Sequence, residues 1–170
     1  MTATVPYRVE VVTNPTAVAG VLAKLHVSCF AGSPQDTWSD CAISTLLNTP
    51  GTIGLIALGS KEEAIGFIIG RAVADEGEVL TLCVSPASRR HGVATALVGQ
   101  LREYLFSHHQ IFLEVAITNR AARDLYQSLG FQEVGRRTAY YRRGGKSVDA
   151  LVMASGRSDG PGRLLKKHMN

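Results

Sequence analysis

Cysteine is scarce in this chain, tryptophan occurs once and long apolar runs are missing, and each shortage narrows the function. Only Cys29, Cys41 and Cys83 occur in 170 residues, with neither paired nor metal-like spacing. Reduced thiols in a cytoplasm are the economical reading, and neither a disulfide framework nor a bound metal is expected. The longest apolar runs, such as Ile65 to Ile69, fall far short of the ~20 residues a membrane span needs. No charged-then-apolar leader opens the sequence, so export is not expected. Internal repeats are absent, and no basic patch is interleaved with aromatics in the manner that stacks nucleic-acid bases. The net charge of +4 favours an anionic ligand without implying nucleic acid. What remains, with 45% hydrophobic and 19% charged residues, is one globular domain with room for a proper core.

The stretch from Thr81 to Leu105 organises the rest. Thr81 to Val84 is a short apolar strand closed by Ser85-Pro86, since proline cannot continue a central ladder. Val93, Ala94, Leu97, Val98, Leu101 and Leu105 then follow the spacing of a helix with one buried face. Between them lies Arg89-Arg90-His91-Gly92. A glycine-bearing turn at a helix start aims several backbone N–H groups at one point, and the helix dipole adds attraction for an anion. Phosphate binding is the functional reading, and a merely solvated loop is the bland one. The pattern is neither a Walker loop nor a dinucleotide fingerprint.

Taken in order, Tyr7 to Val12 reads as an edge strand, and Asn14-Pro15 opens a helix by capping and by proline at its first turn. Val18, Val21, Leu22, Leu25 and Cys29 mark the expected buried stripe of that helix, which breaks at residues 30–34. Trp38, Ala42, Ile43, Leu46 and Leu47 suggest a second helix. Thr52 to Leu58 and Ala64 to Val73 form an expected hairpin, and Glu78 to Val84 the next strand. His108-His109 closes the following helix and reads as a solvated pair, because no ligand spacing supports a metal.

Ile111 to Ile117 alternates, with Ile111, Leu113, Val115 and Ile117 on one face and Phe112, Glu114 and Ala116 on the other. Glu114 is thus a carboxylate in an apolar strand, costly to bury unless paired, hydrogen-bonded or protonated. It is either a structural partner of one of the arginines or a general base with a pKa raised by burial. Asn119 caps a further helix whose expected buried side is Ala121, Ala122, Leu125 and Leu129, with Tyr126 between the buried and exposed sides. Gly130 ends it. Val134 to Tyr141 and Ser147 to Met153 form a last hairpin, turned by Gly144-Gly145, that gathers Arg136, Arg137, Tyr140, Tyr141, Arg142 and Arg143. The polar, glycine-rich end after Ala154 reads as a flexible tail over 155–170, leaving 1–154 as the domain.

Two segments carry a resemblance. Arg89-x-x-Gly92-x-Ala94 matches the Arg/Gln-x-x-Gly-x-Gly/Ala segment of the GNAT acetyltransferases, and Asn119 to Phe131 matches their N-x-x-A-x-x-L-Y-x-x-x-G-F segment, in the same order and spacing. Over roughly Tyr7 to Met153 the chain resembles that family, and within it the RimI-type enzymes that acetylate the N-terminal alanine of a ribosomal protein. The resemblance implies an α/β (α+β) GNAT fold: a central mixed, mostly antiparallel twisted sheet flanked by helices, with a splayed strand pair that receives acetyl-CoA. It assigns acetyl-CoA to the backbone of Leu82, Cys83 and Val84, to the turn Arg89, Arg90, His91, Gly92, Val93, Ala94 and Thr95, and to Asn119. It makes Glu114 the base, directly or through water, and Tyr126 the acid at the coenzyme A sulfur. Trp38 and Tyr140 fall on the acceptor side. The implied reaction is acetyl transfer to a protein or peptide N-terminus. A small-molecule amine or a lysine side chain is the alternative acceptor, and a non-catalytic acetyl-CoA-binding module is a third reading. Cys83 stands where a small residue is usual in RimI-type proteins, and His91 where arginine or lysine is frequent. No nucleic-acid or membrane partner is expected, and monomer and dimer both stay open.

Overall fold

The computed structural model describes residues 6–30, 37–105, 110–143 and 146–156. The expected histidine pair at 108–109, the loop 31–36, the Gly-Gly turn and residues 157–170 of the expected tail lie outside them. Ser155 and Gly156, expected in that tail, instead extend the last strand, paired with Ile111 and Gln110. Among the described residues eleven strands and α-helices follow one another: β1 (Tyr7–Val11), α1 (Pro15–Cys29), α2 (Asp40–Leu47), β2 (Thr52–Gly59), β3 (Ala64–Val73), β4 (Glu76–Val84), α3 (Val93–Tyr104), β5 (Gln110–Ala116), α4 (Arg120–Ser128), β6 (Gln132–Arg143) and β7 (Lys146–Gly156). The strands form one sheet in the order β1-β2-β3-β4-β5-β7-β6. Every neighbouring pair is antiparallel except β4 with β5. This is the mixed, mostly antiparallel sheet expected from the sequence.

Period-two alternation sends the central strands into two cores. Leu55 and Ile68 face α3, where they meet Leu97, Val98 and Leu101. Their neighbours Ile56, Phe67 and Ile69 face α1 and α2, where they meet Leu22 and Ile43. α3 lies close against the sheet because Gly70 presents no side chain; a Cβ there would stand 2.7 Å from Leu101 Cδ2. Each fully buried Leu, Ile or Phe in these clusters contributes about 1.5–3 kcal/mol relative to exposure. A side-chain cap contributes about 1 kcal/mol. Packing therefore decides where the helices sit, and caps decide where they begin.

The α1 stripe differs from the expected one. Val21 is 49% exposed, whereas His26 is buried with Leu22 and Leu25. His26 lies four residues after Leu22, one helical turn on, so the same face carries both. α4 differs as well: Ala121 is exposed, and Tyr126 is its one buried residue at 6% exposure. Its ring stands edge-on to Phe131, with centroids 5.6 Å apart. A large ring with that partner outcompetes an alanine for the buried face.

The functional geometry begins at an irregularity in β4. Along the β3–β4 ladder Ile69 pairs with Thr81 and Gly70 with Val79, so Leu80 is an extra residue. Such a bulge bends its strand and strengthens the local twist. β4 and β5 pair from Glu76–Gln110 to Val79–Leu113 and no further. The two strands separate where the bulge occurs, which opens a gap in the middle of the sheet. The splayed pair expected from the resemblance thus has a local cause in Leu80.

Candidate active site

One end of the gap is the turn into α3. Arg90 has φ +67° and Gly92 φ +82°, so two residues out of three adopt the left-handed conformation that turns backbone N–H groups inward. Asn14, Ser39 and Asn119 cap α1, α2 and α4 with side-chain oxygens that accept the N–H of Ala17, Ala42 and Ala122, each at 3.2 Å. α3 instead begins at Gly92, which has no side chain to offer its first N–H groups. Those donors are the ones an external anion takes. Val93 is buried in the core, so it presents backbone alone, while Ala94 is half-buried and Thr95 exposed. His91 Nδ1 is buried without a hydrogen-bond partner among the described residues. A phosphate-bearing group fits this turn.

Arg89 behaves differently from a free counter-ion. Arg89 Nε donates to the Val84 carbonyl at 3.2 Å, where the Cys29 thiol also donates at 3.3 Å. Cys83 points away from the gap, buried with Phe67 and Ile69 in the α1–α2 core. Its hydrogen bond to Cys29, and after it burial, pushes the Cys83 thiol up, while the same hydrogen bond draws the Cys29 thiol down against the effect of burial. Cys83 therefore contributes its backbone, and not its sulfur, to the gap.

The other end is a cavity of about 470 Å³. Leu80, Thr81 and Leu82 of β4, Glu114 of β5, Asn119, Ala122 and Tyr126 line it together with His26, Trp38, Tyr140 and Tyr141. The two faces of the sheet meet there. Leu113 and Val115 face the α3 core with Tyr126, and Glu114 points from the opposite face. Both sets of expected β5 residues thus fall on the expected sides. Tyr126 approaches the gap from one face of the sheet and Glu114 from the other.

Glu114 has the arginine partner that its structural reading expects. Its side chain is 21% exposed, and its Oε1 accepts from Arg137 Nη1 at 2.5 Å. It is ion-paired and still lines the cavity. Tyr140, 45% exposed, lies beneath the Arg137 guanidinium, with the ring centroid at 4.5 Å. Burial and a hydrogen bond to Glu114 push the Tyr140 phenol up to about 12. Burial, and after it the proximity of Cys83 and Tyr141, raises the Tyr126 phenol well above its ordinary value. Tyr126 accordingly keeps its proton through the neutral range. Asn119 Oδ1 is committed to the α4 cap, so its amide NH₂ is the group left to a ligand.

Trp38 stacks nearly parallel on His26 at 5.2 Å, and Phe30 stacks on the same imidazole at 4.5 Å. The Trp38 N–H reaches His26 Nδ1 at 3.4 Å. Trp38 is therefore a packed residue and a wall of the cavity at once. Three site residues escaped the sequence. His26 was legible only as the fourth residue after Leu22, and Glu78, paired to Arg71 at 2.8 Å, only as a strand charge. Arg137 was one arginine among several in the last hairpin.

In chemical terms the cavity offers a carboxylate to take a proton, a firmly protonated phenol to give one, and a bulged strand with unpaired backbone between them. Residues 21–131 match the Acetyltransferase (GNAT) family. The N-alpha-acetyltransferase RimI of Mycobacterium tuberculosis is 34% identical over 134 residues, covering 77% of this chain and 82% of that one. The [Ribosomal protein bS18]-alanine N-acetyltransferase of Haemophilus ducreyi is 34% identical over 116 residues, covering 65% and 79%. The crystal structure of the ribosomal-protein-S18-alanine N-acetyltransferase from Escherichia coli has the same fold, with a TM-score of 0.74 at 23% identity over 90% of this chain and 99% of that one. With the splayed strands, the uncapped α3 and the two matched segments in register, the chain belongs to the GNAT family and is an acetyl-CoA-dependent N-acetyltransferase.

Proposed function

We propose that this enzyme acetylates the N-terminal α-amino group of a protein, a ribosomal protein being the first candidate, in the cytoplasm. The observation that carries the reading is the cavity at the β4–β5 gap, which Glu114 and Tyr126 line together. Relatives at 34% identity that are named for N-alpha-acetylation and for the alanine of ribosomal protein bS18 support it. No helix among the described residues is long and apolar enough to cross a membrane.

The turn from Arg89 to Thr95 holds the phosphates, and the freed backbone of Leu82 to Val84 holds the extended arm. Acetyl-CoA bound there supplies an acyl group activated as a thioester. Glu114 removes the proton from the acceptor ammonium, directly or through water. Backbone N–H groups of the bulged strand stabilise the negative oxygen that develops. Tyr126 gives its phenolic proton to the departing sulfur. Trp38 and Tyr140 wall the approach from the Glu114 side, and the carboxylates Glu78 and Glu114 attract a cationic chain end.

A lone carboxylate suits an α-amine better than a lysine. Their pKa values are about 7.7–8.0 and 10.4, a gap worth about 3 kcal/mol of deprotonation. The test offers alanine- or serine-initiated peptides, free or N-terminally blocked, each with one internal lysine. Mass spectrometry is expected to find the acetyl group on the free N-terminus alone. Label confined to lysine, or to small amines offered in parallel, would reject the acceptor and leave the cofactor site standing.

A further inference from the structure

Arg137 has no role in the reaction as described so far, and its setting is unusual. Along the β6–β7 ladder Arg137 pairs with Ala150 and Tyr141 with Val148. Residues 138, 139 and 140 of β6 therefore stand opposite Asp149 alone. In a regular strand, residues three apart point to opposite faces. Here Arg137 and Tyr140 stack on each other, 4.5 Å from guanidinium carbon to ring centroid. Ala139 takes up the irregularity at φ +56°, a conformation that disfavours any residue with a Cβ. Asp149 fastens it: Oδ1 accepts the Ala139 N–H at 2.9 Å and Oδ2 accepts Arg136 Nε at 2.9 Å.

The fastened bulge has a consequence two strands away. The order β5-β7-β6 places β7 between Arg137 and Glu114. Arg137 crosses over β7, beside the small Ala150 of its own register, to reach the carboxylate at 2.5 Å. Surface ion pairs contribute little to stability, and a long arginine pinned across a strand is a poor use of one for that purpose alone. At the rim of a reaction cavity the same contact fixes where a carboxylate points.

We propose that Arg137 is a positioning residue for acetyl transfer, holding Glu114 aimed into the cavity, with the Asp149-fastened bulge holding Arg137. This rests on Glu114 being the base. The other titratable groups lining the same space are Tyr140 and Tyr141 from β6, Glu78 from β4, His26 from α1 and Tyr126 from α4. Arg137 supplies the positive charge in direct contact with Glu114, and that contact holds its own guanidinium proton more tightly.

The experiment measures kcat against pH for the full chain with acetyl-CoA and an alanine-initiated peptide. Removing the charge in Arg137→Gln is expected to lower kcat at pH 7 by roughly 10–100-fold, the range for a misplaced reacting group. Acetyl-CoA affinity should stay unchanged, so the loss falls on kcat and not on cofactor binding. Arg137→Lys should keep that affinity while kcat stays low, because an ammonium keeps the charge and loses the planar fork. If Arg137→Gln does not fold, Arg137→Lys carries the test with that same split. Adding Arg137→Gln to Glu114→Gln should change kcat no more than about twofold, since residues acting as a unit are not additive. A native kcat in the folded Arg137 variants, or a full additional loss in the double variant, would overturn the proposal. A Glu114→Gln enzyme with the wild-type profile would instead sink the base assignment itself.

Discussion

The two ends of the β4–β5 gap are built from different material. The end proposed to hold the cofactor is backbone from consecutive residues, shaped by Arg90 and Gly92 in left-handed conformations and by a helix without a side-chain cap. The reacting end is side chains drawn from β4, β5, α1, α4 and β6, aligned by bulges at Leu80 and around Ala139. A backbone site tolerates most side-chain changes and fails when the chain path changes. A side-chain site fails one residue at a time and depends on strand register far from the chemistry.

The largest effect should come from the reacting end. Tyr126→Phe keeps the ring against Phe131 and deletes only the phenolic proton, so kcat should fall by roughly 10²–10⁴-fold with acetyl-CoA affinity nearly constant. Steady-state kinetics beside calorimetry reads both, and a wild-type kcat would return Tyr126 to a packing role.

At the cofactor end a graded pair sharpens the contrast. Gly92→Ala adds a Cβ that meets Tyr7 Oη at an ordinary 3.5 Å, so its cost is the left-handed strain of about 1–2 kcal/mol. Gly92→Glu adds the same strain and sets a negative charge beside the phosphates. Calorimetry should show the glutamate variant losing far more acetyl-CoA affinity than the alanine variant. Equal losses in the two would mean that strain alone matters there.

A smaller effect is expected from Asp149→Ala. Its carboxylate, held below its ordinary range by the Ala139 N–H and then by Arg136, touches nothing in the cavity. Loosening the bulge should lower kcat by less than Tyr126→Phe does and leave acetyl-CoA binding alone. An unchanged kcat would uncouple the bulge from the reaction.

The smallest effect is on stability at alkaline pH. The folded-state pKa of Tyr126 lies above its unfolded value of about 10, because burial disfavours the phenolate. Its contribution is fully present below pH 10 and declines above it as the unfolded phenol ionises first. Melting temperatures from pH 8 to 11 should fall more steeply for the native chain than for Tyr126→Phe.

The same contrast explains what the sequence could show. The α3 turn is contiguous, so Arg89-x-x-Gly92-x-Ala94 carries it whole, and the β5 alternation put Glu114 opposite Leu113 and Val115 without any tertiary information. The α1 and α4 stripes misled at Val21 and Tyr126, where spacing leaves two faces nearly equivalent and a neighbouring ring selects between them. Leu80 was illegible because a bulge is a property of a pair of strands. The partner of Glu114 was foreseeable in kind, an arginine, and not in identity. Choosing Arg137 requires the β6–β7 register with its irregularity opposite Asp149.

The central claim is that Glu114 removes the proton from an N-terminal ammonium whose own pKa is about 8. The most direct measurement is the ratio of native to Glu114→Gln turnover on an alanine-initiated peptide from pH 6.5 to 9.5. A base matters most when the amine arrives protonated, so the ratio should be large at pH 6.5 and shrink steadily above pH 8, where free amine prevails. A ratio that stays constant across that range would contradict the claim and leave Glu114 as a structural partner of Arg137.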